Sequence, residues 1–215
     1  MTRLLTRLAL GFGLAAATLT GLPAAAQDTG TPAPAAGAAP AAGADVSLGV
    51  PDGMPDQAHA EVGKVYLAAK FDDWEQRCVK TADGADPCNL YQLLKDGTGN
   101  PAAEISFFSL PAGGAAAAGA SVLAPLYTLL TANLRIAIDQ ATPKLYPFSY
   151  CTETGCLAKV GFTADELAAM KKAGTATITV VPAEAPTKTV VISMSLKGFT
   201  AGFQAVVDAD AKLKK

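Results

Sequence analysis

Phe71 to Gln92 reads FDDWEQRCVKTADGADPCNLYQ, and its pattern sets the fold class. It holds the only tryptophan, Trp74, and two of the four cysteines, Cys78 and Cys88. Trp74, Gln76, Cys78 and Lys80 fall on one side of an extended chain, and Glu75, Arg77 and Val79 on the other. Asp83-Gly84 and Asp86-Pro87 between the cysteines are turn-forming pairs. The stretch therefore predicts a strand, a turn closed by cysteines and a returning strand, with Trp74 as a core anchor beside Cys78.

The same logic extends in both directions. Val65–Ala69 precedes it as a short apolar run, and AEISFFSL (103–110) and LRIAID (134–139) read as strands. Leu145–Tyr150 leads through the CTETGC turn (Cys151 to Cys156) into Leu157–Phe162, a second hairpin bracketed by cysteines. TATITVV (175–181) and TVVISMSL (189–196) are two further strands. PAGGAAAAGAS (111–121) reads as a flexible loop, because glycines stand at both ends of its alanine run. Val122–Leu130, broken by Pro125, reads as an edge strand or an irregular buried segment.

Two helices are expected. Thr163-Ala-Asp-Glu166 is a capping box, opening a helix to Ala173 that stops at Gly174. Phe203, Val206 and Val207 have helical spacing near the C-terminus, within a terminal helix from about Thr200 to Lys212. Seven to nine strands and two short helices make a mainly β domain, expected as a two-sheet sandwich.

The N-terminus is of another kind. Arg3 and Arg7 precede an apolar run, Leu8–Leu22, that ends at Pro23-Ala24-Ala25-Ala26, the parts of a secretory signal peptide cleaved after Ala26. The run is short for a membrane span. Residues 27–59, almost all Ala, Pro, Gly, Thr and Asp up to about Gln57, have too little apolar surface to fold and are expected as a disordered linker. The domain is then 60–215, about 150 residues, an ordinary size for one unit. An exported location follows: periplasm, outer surface or medium.

Without Arg3 and Arg7 the 17 basic residues become 15 against 19 acidic, net −4, which lacks the basic footprint of a nucleic-acid binder. No second long apolar run follows the first, so no span is expected in the mature chain. In an exported chain the four cysteines are expected as disulfides. Cys78–Cys88 and Cys151–Cys156 are favoured because each pair brackets a turn, and non-local pairing is the alternative. Separations of ten and five fit neither a four-thiolate zinc site nor a Cys-x-x-Cys redox pair.

The only histidine, His59, stands beside the linker, which removes the common histidine-dependent catalytic and metal sites. No phosphate-binding glycine loop is present, and no cofactor is expected. Asp72, Asp73 and Glu75 are the remaining acid–base or calcium candidates, although adjacent aspartates between strands more often mark a solvated turn. Tyr127, Tyr146, Phe148 and Tyr150 are candidates for an exposed aromatic surface, with Tyr146, Phe148 and Tyr150 in one short run.

FDDWEQRC, PCNLYQ, LRIAID, CTETGCLA and SLKGFTAGF together resemble the invasion-associated locus B family of bacterial exported proteins. The resemblance runs from about Val65 to Phe203. Phe71, Trp74, Gln92, Asp139, Gly155, Ser195, Leu196, Gly198 and Phe199 carry it together with the cysteines. It implies an immunoglobulin-like β-sandwich in the bacterial envelope, with host-cell invasion associated with some members and no catalytic residues to transfer. The expected function is therefore a non-enzymatic interaction protein with an unidentified protein or envelope partner, met by strand edges or loops such as Tyr146–Tyr150 and the Ala/Gly stretch. The rivals are a periplasmic housekeeping or stress factor and a carboxylate-dependent enzyme.

Overall fold

A computed structural model of the chain describes residues 53–213. The expected signal peptide and all but the last residues of the expected linker lie outside the described residues. At the linker's end Pro55 already contacts the domain, its carbonyl accepting a hydrogen bond from Leu67 N at 2.9 Å.

The strands are β1 (Val65–Phe71), β2 (Trp74–Val79), β3 (Cys88–Lys95), β4 (Pro101–Ser109), β5 (Ala118–Ala124), β6 (Leu134–Ile138), β7 (Lys144–Tyr146), β8 (Phe148–Thr152), β9 (Gly155–Phe162), β10 (Thr175–Val180) and β11 (Val190–Ser195). Helix α1 (Ala164–Met170) lies between β9 and β10, and α2 (Phe199–Lys212) ends the domain. The domain is thus mainly β with two helices, and its described residues form eleven strands where seven to nine were expected. They form one antiparallel sheet in the order β7-β6-β10-β11-β3-β4-β5-β9-β8, with β2 also on β3 and β1 outside β2. Only Pro147 separates β7, which pairs with β6, from β8, which pairs with β9. One bent segment therefore links the two ends of the sheet and nearly closes it.

Strand β3 is a fork. Cys88–Tyr91 pair with Glu75–Cys78 of β2, whereas Lys95 pairs with Ser193 of β11 on the same edge. At the crotch stands Gln92, buried despite its amide. Its Nε2 donates to Asp73 O at 3.2 Å and to Ser195 O at 3.1 Å, and its Oε1 accepts from Ser195 N at 3.1 Å. The side chain supplies the ladder that diverging backbones cannot, pairing Asp73 O and Ser195 N at a part-buried joint. The fully buried Trp74 adds Nε1–H to Ser195 O at 2.9 Å.

Trp74 meets Phe107 and Phe199 edge-on at 5.7 and 5.4 Å. Phe107 in turn stacks on Phe162 at 5.2 Å, and Phe199 on Phe203 at 5.7 Å. Phe199, Phe203 and Val206 are the buried stripe of α2, at the i, i+4, i+7 spacing of a helix face. Gly202 lets that stripe settle on β3, since a Cβ there would lie 2.5 Å from Leu90 Cδ1.

The stretch 111–121 departs from expectation, because its second half enters β5, an interior strand between β4 and β9. Small side chains are what this place needs. Ala120 lies between Phe107 and Val160, and Ala118 beside Phe162, leaving room for the stacked rings. On the outer face Phe108 covers Gly119, where a Cβ would lie 2.2 Å from the ring. Packing on both sides overrides the poor strand propensity of alanine and glycine. Val122–Ala124 complete this strand rather than an edge, and Pro125 follows its end.

Gly198 opens α2 at φ 85°, and a Cβ there would lie 2.0 Å from Phe71 O. Gly198→Ala combines left-handed backbone strain with a clash against immobile backbone. We expect a loss of roughly 2–4 kcal/mol in urea unfolding, against a negligible change for Gly97→Ala, whose Cβ would meet nothing.

Candidate functional site

The carboxylates of the first hairpin are built into the fold's joint. Asp72 takes φ 51°, a left-handed turn position that aspartate tolerates. Its Oδ1 lies 3.5 Å from Lys197 Nζ, while Asp73 Oδ2 accepts from Ser195 Oγ at 2.6 Å. Ser195 Oγ also accepts from Lys197 N at 3.2 Å. Glu75 faces the outer side, where Arg77 Nε and Nη2 donate to Oε2 at 3.0 and 2.8 Å and Lys70 Nζ lies 3.2 Å from Oε1. Burial works to raise the Glu75 carboxyl, but the Arg77 and Lys70 contacts outweigh it and hold it below the ordinary range. Asp72, Asp73 and Glu75 line one open depression together with Lys70, Arg77 and Tyr91, but each carboxylate is turned to a different partner.

The two disulfides join residues directly opposed in register. Cys78 and Cys88 face each other across β2 and β3 with Cα atoms 4.0 Å apart, and Cys151 and Cys156 across β8 and β9 at 3.9 Å. Among the described residues no cysteine is free and no group of three or more His, Cys, Asp or Glu is placed to hold a metal.

Inside the first disulfide loop, Asp86 is a polar centre that turn chemistry alone does not reveal. It is 8% exposed and accepts from Thr81 N at 2.7 Å, Thr81 Oγ1 at 2.8 Å, Tyr66 Oη at 2.7 Å and Gln57 Nε2 at 3.2 Å. The Thr81 amide, then the Tyr66 and Thr81 hydroxyls, hold its carboxyl far below the usual range. Burial, then the hydrogen bond to Asp86, pushes the Tyr66 phenol up to about 12. His59 lies nearby in the chain, its Nδ1 2.7 Å from Asp56 Oδ1 on the surface.

The aromatic candidates separate. Tyr146, Phe148 and Tyr150 follow one another along the bent β7–β8 segment, but they face different surroundings. Tyr146 is half-buried with its ring 6.3 Å from Phe162, and Phe148 packs at the edge of the core. Tyr150 alone of the three is mainly in solvent, 52% exposed. It heads an outer row that register continues through Leu157, Leu123 and Glu104 to the exposed Leu93. Tyr127 stands on a separate loop at φ 66° and 77% exposed. Hydrogen bonds from Ala183 N to Tyr127 O and from Leu129 N to Val181 O, both 2.7 Å, pin this strained tip.

The first half of the Ala/Gly stretch walls a groove of about 730 Å³ between α1 and α2. Leu110, Leu167, Phe203 and Val207 give it an apolar floor, and Lys171 and Asp210 stand among the lining residues. Asp210 is fixed by a hydrogen bond from Ser109 Oγ.

Two measurements test these assignments. Gln92→Met keeps the volume but removes the partner of Asp73 O and Ser195 N, while Ser195 O keeps Trp74 Nε1, so urea unfolding should record a loss of about 1–3 kcal/mol. For Asp86 the folded carboxyl is depressed, so its contribution is complete above the unfolded value of about 4 and fades as pH falls below it. Asp86→Asn should lower Tm at pH 7, with the difference shrinking on acidification below about pH 4. Tyr66 has the opposite sign: its contribution is present below about pH 10 and is lost as pH rises toward its folded value. Alkaline ultraviolet titration of the folded protein should therefore find one phenol ionising near 12.

The family model "Invasion associated locus B (IalB) protein" matches residues 74–207. No curated protein matches the chain. Among solved structures, the crystal structure of invasion associated protein B from Bartonella henselae is similar in fold, with a TM-score of 0.54 at 16% identity. The match covers 68% of this chain and 98% of that one. The family match begins at Trp74, runs through the fork at Gln92 and Ser195 and ends within α2, so this protein belongs to the invasion associated locus B family.

Proposed function

We propose that the protein is exported to the bacterial envelope or outer surface and acts there as a non-enzymatic interaction protein. One observation carries this reading: the groups with catalytic potential are engaged in holding the fold. Asp73 is bound by Ser195, Glu75 by Arg77 and Lys70, and Asp86 by Thr81 and Tyr66. Local disulfides and an Arg-led apolar N-terminus cleaved after Ala26 support export. Among the described residues no helix is long and apolar enough to cross a membrane. The 27–59 stretch then acts as a tether for a domain that begins near residue 60. The finer fold reading, an immunoglobulin-like pair of layers, is supported by the thin join at Ser193–Lys95 between a four-strand and a seven-strand portion.

The partner is met where aromatic surface is exposed, with Tyr150 and its outer row as the main contact. The similar Bartonella protein is named for invasion, and host-cell association is the form this interaction takes if the domain reaches the cell surface. Confinement to the periplasm makes it an envelope housekeeping factor instead. Protease shaving of intact cells distinguishes these: digestion of the domain is expected for the surface role, and protection until the outer barrier is opened selects the housekeeping role. A photo-crosslinking residue at position 150 should trap a partner in cells, and one at Lys95 should not. Crosslinks confined to other faces overturn the placement at Tyr150.

A further inference from the structure

Where the bent β7–β8 segment leaves β6 for β9, the sheet opens over α1 and a cavity of about 240 Å³ remains. Ile136 and Ile138 of β6, Tyr146 of β7, Phe162 of β9 and Ala169 of α1 form its largely apolar wall. An apolar cavity of roughly 150 Å³ is enough to lodge a benzene-sized group, so this one suits a single ring or a branched alkyl group and not a larger ligand.

The remaining lining groups define what the polar end of such a ligand must be. Lys144 Nζ and Glu166 Oε1 are 2.6 Å apart and neutralise each other. Glu166 is largely committed, because Oε2 also receives Thr163 N at 2.9 Å and Thr163 Oγ1 at 3.0 Å in the capping box. Asp165 also lines the cavity and has no hydrogen-bond or ion-pair partner among the described residues. Asp165, exposed in the first turn of α1, is thus the one lining carboxylate without a cationic side chain beside it among the described residues. The Tyr146 hydroxyl likewise has no protein partner among them, and burial, aided by the Glu166 charge, keeps that phenol protonated.

We propose that this cavity is a binding site for a small apolar group attached to an ammonium, with the apolar part between Ile138 and Phe162 and the ammonium on Asp165 and the Tyr146 hydroxyl. An apolar carboxylate would bring a second negative charge to the same place and leave Asp165 unpaired. The required chemistry is found both in free aromatic or branched amines and in a polypeptide whose N-terminal residue is apolar. The site shares Tyr146 with the proposed interaction segment but does not depend on that function. Tyr150 lies outside the cavity lining, so a failed crosslink at position 150 and a failed cavity are separate results.

The test is titration of the purified full chain with phenethylamine, phenylacetate and benzyl alcohol, followed by calorimetry and by chemical shifts of Ile138 and Ala169. Phenethylamine should bind most tightly, and Asp165→Asn should weaken it by about 2–5-fold, the range of a solvent-exposed ion pair. Asp165→Asn should leave benzyl alcohol unchanged. Ile138→Trp should abolish binding of all three by filling the cavity, and Ala169→Met, which fills it from the helix side, provides the same block if the first variant does not fold. The peptide Phe-Gly-Gly and its acetylated form identify the source. Tighter binding of the free peptide than of phenethylamine assigns a polypeptide N-terminus, and the reverse assigns a small amine. Equal affinity for phenylacetate, unchanged binding in the folded filled variants, or no saturable binding of phenethylamine at millimolar concentration would overturn the proposal.

Discussion

A single side-chain amide holds this architecture at its weakest point. Strand β3 cannot keep β2 and β11 in register on one edge, so peptide groups of Asp73 and Ser195 face a gap in the ladder. Gln92 fills it with two donated bonds and one accepted bond, and Trp74 adds a fourth from the core side. A buried unpaired peptide group costs on the order of 1–3 kcal/mol, and the part-buried Asp73 O and Ser195 N depend on Gln92 for their partner. The remaining features depend on this closure: the Ser195–Asp73 contact, the sharp Gly198 entry to α2, and the aromatic packing of Phe199 against Trp74.

This arrangement explains why the family's residues gave a family and not a chemistry. Phe71, Trp74, Gln92, Ser195, Gly198 and Phe199 look scattered in sequence, yet the fold gathers them around the fork. Their side chains and backbones hold β1, β2, β3, β11 and α2 together. Residues chosen for such a joint identify a fold and leave the outer surfaces free to differ. The groups with scope for function, Tyr150, Tyr127 and the cavity over α1, lie away from it.

Much of the secondary structure was legible because it is local. Turn-bracketing cysteines, period-two alternation in LRIAID and TVVISMSL, and the Thr163–Glu166 capping box each declare themselves within a few residues. The rest depended on neighbours distant in sequence. Ala118–Ala124 is a strand because Phe107 and Phe162 need small residues between them, which its own composition cannot express. The burial of Tyr146 and Phe148 follows from the corner at Pro147, which a run of aromatics does not disclose. Asp86 read as a turn residue because two of its partners, Tyr66 and Gln57, come from outside the loop. Continuity of the sheet rests on Ser193 and Lys95, one pair that no pattern announces.

The placement of the disulfides has a consequence for how the chain matures. Each bridge closes a hairpin, with separations of 10 and 5 residues, and neither reaches across the fork. The correct sulfur is thus the nearest one along the chain, and short loops close with little entropic cost. Each bond can form once its own hairpin has closed, before the distant β6, β10 and β11 strands have met the sheet. An oxidant is sufficient for that order of events, and an isomerase has no wrong pairing to undo. The long-range assembly around Gln92 then proceeds from a chain already cross-linked in both hairpins.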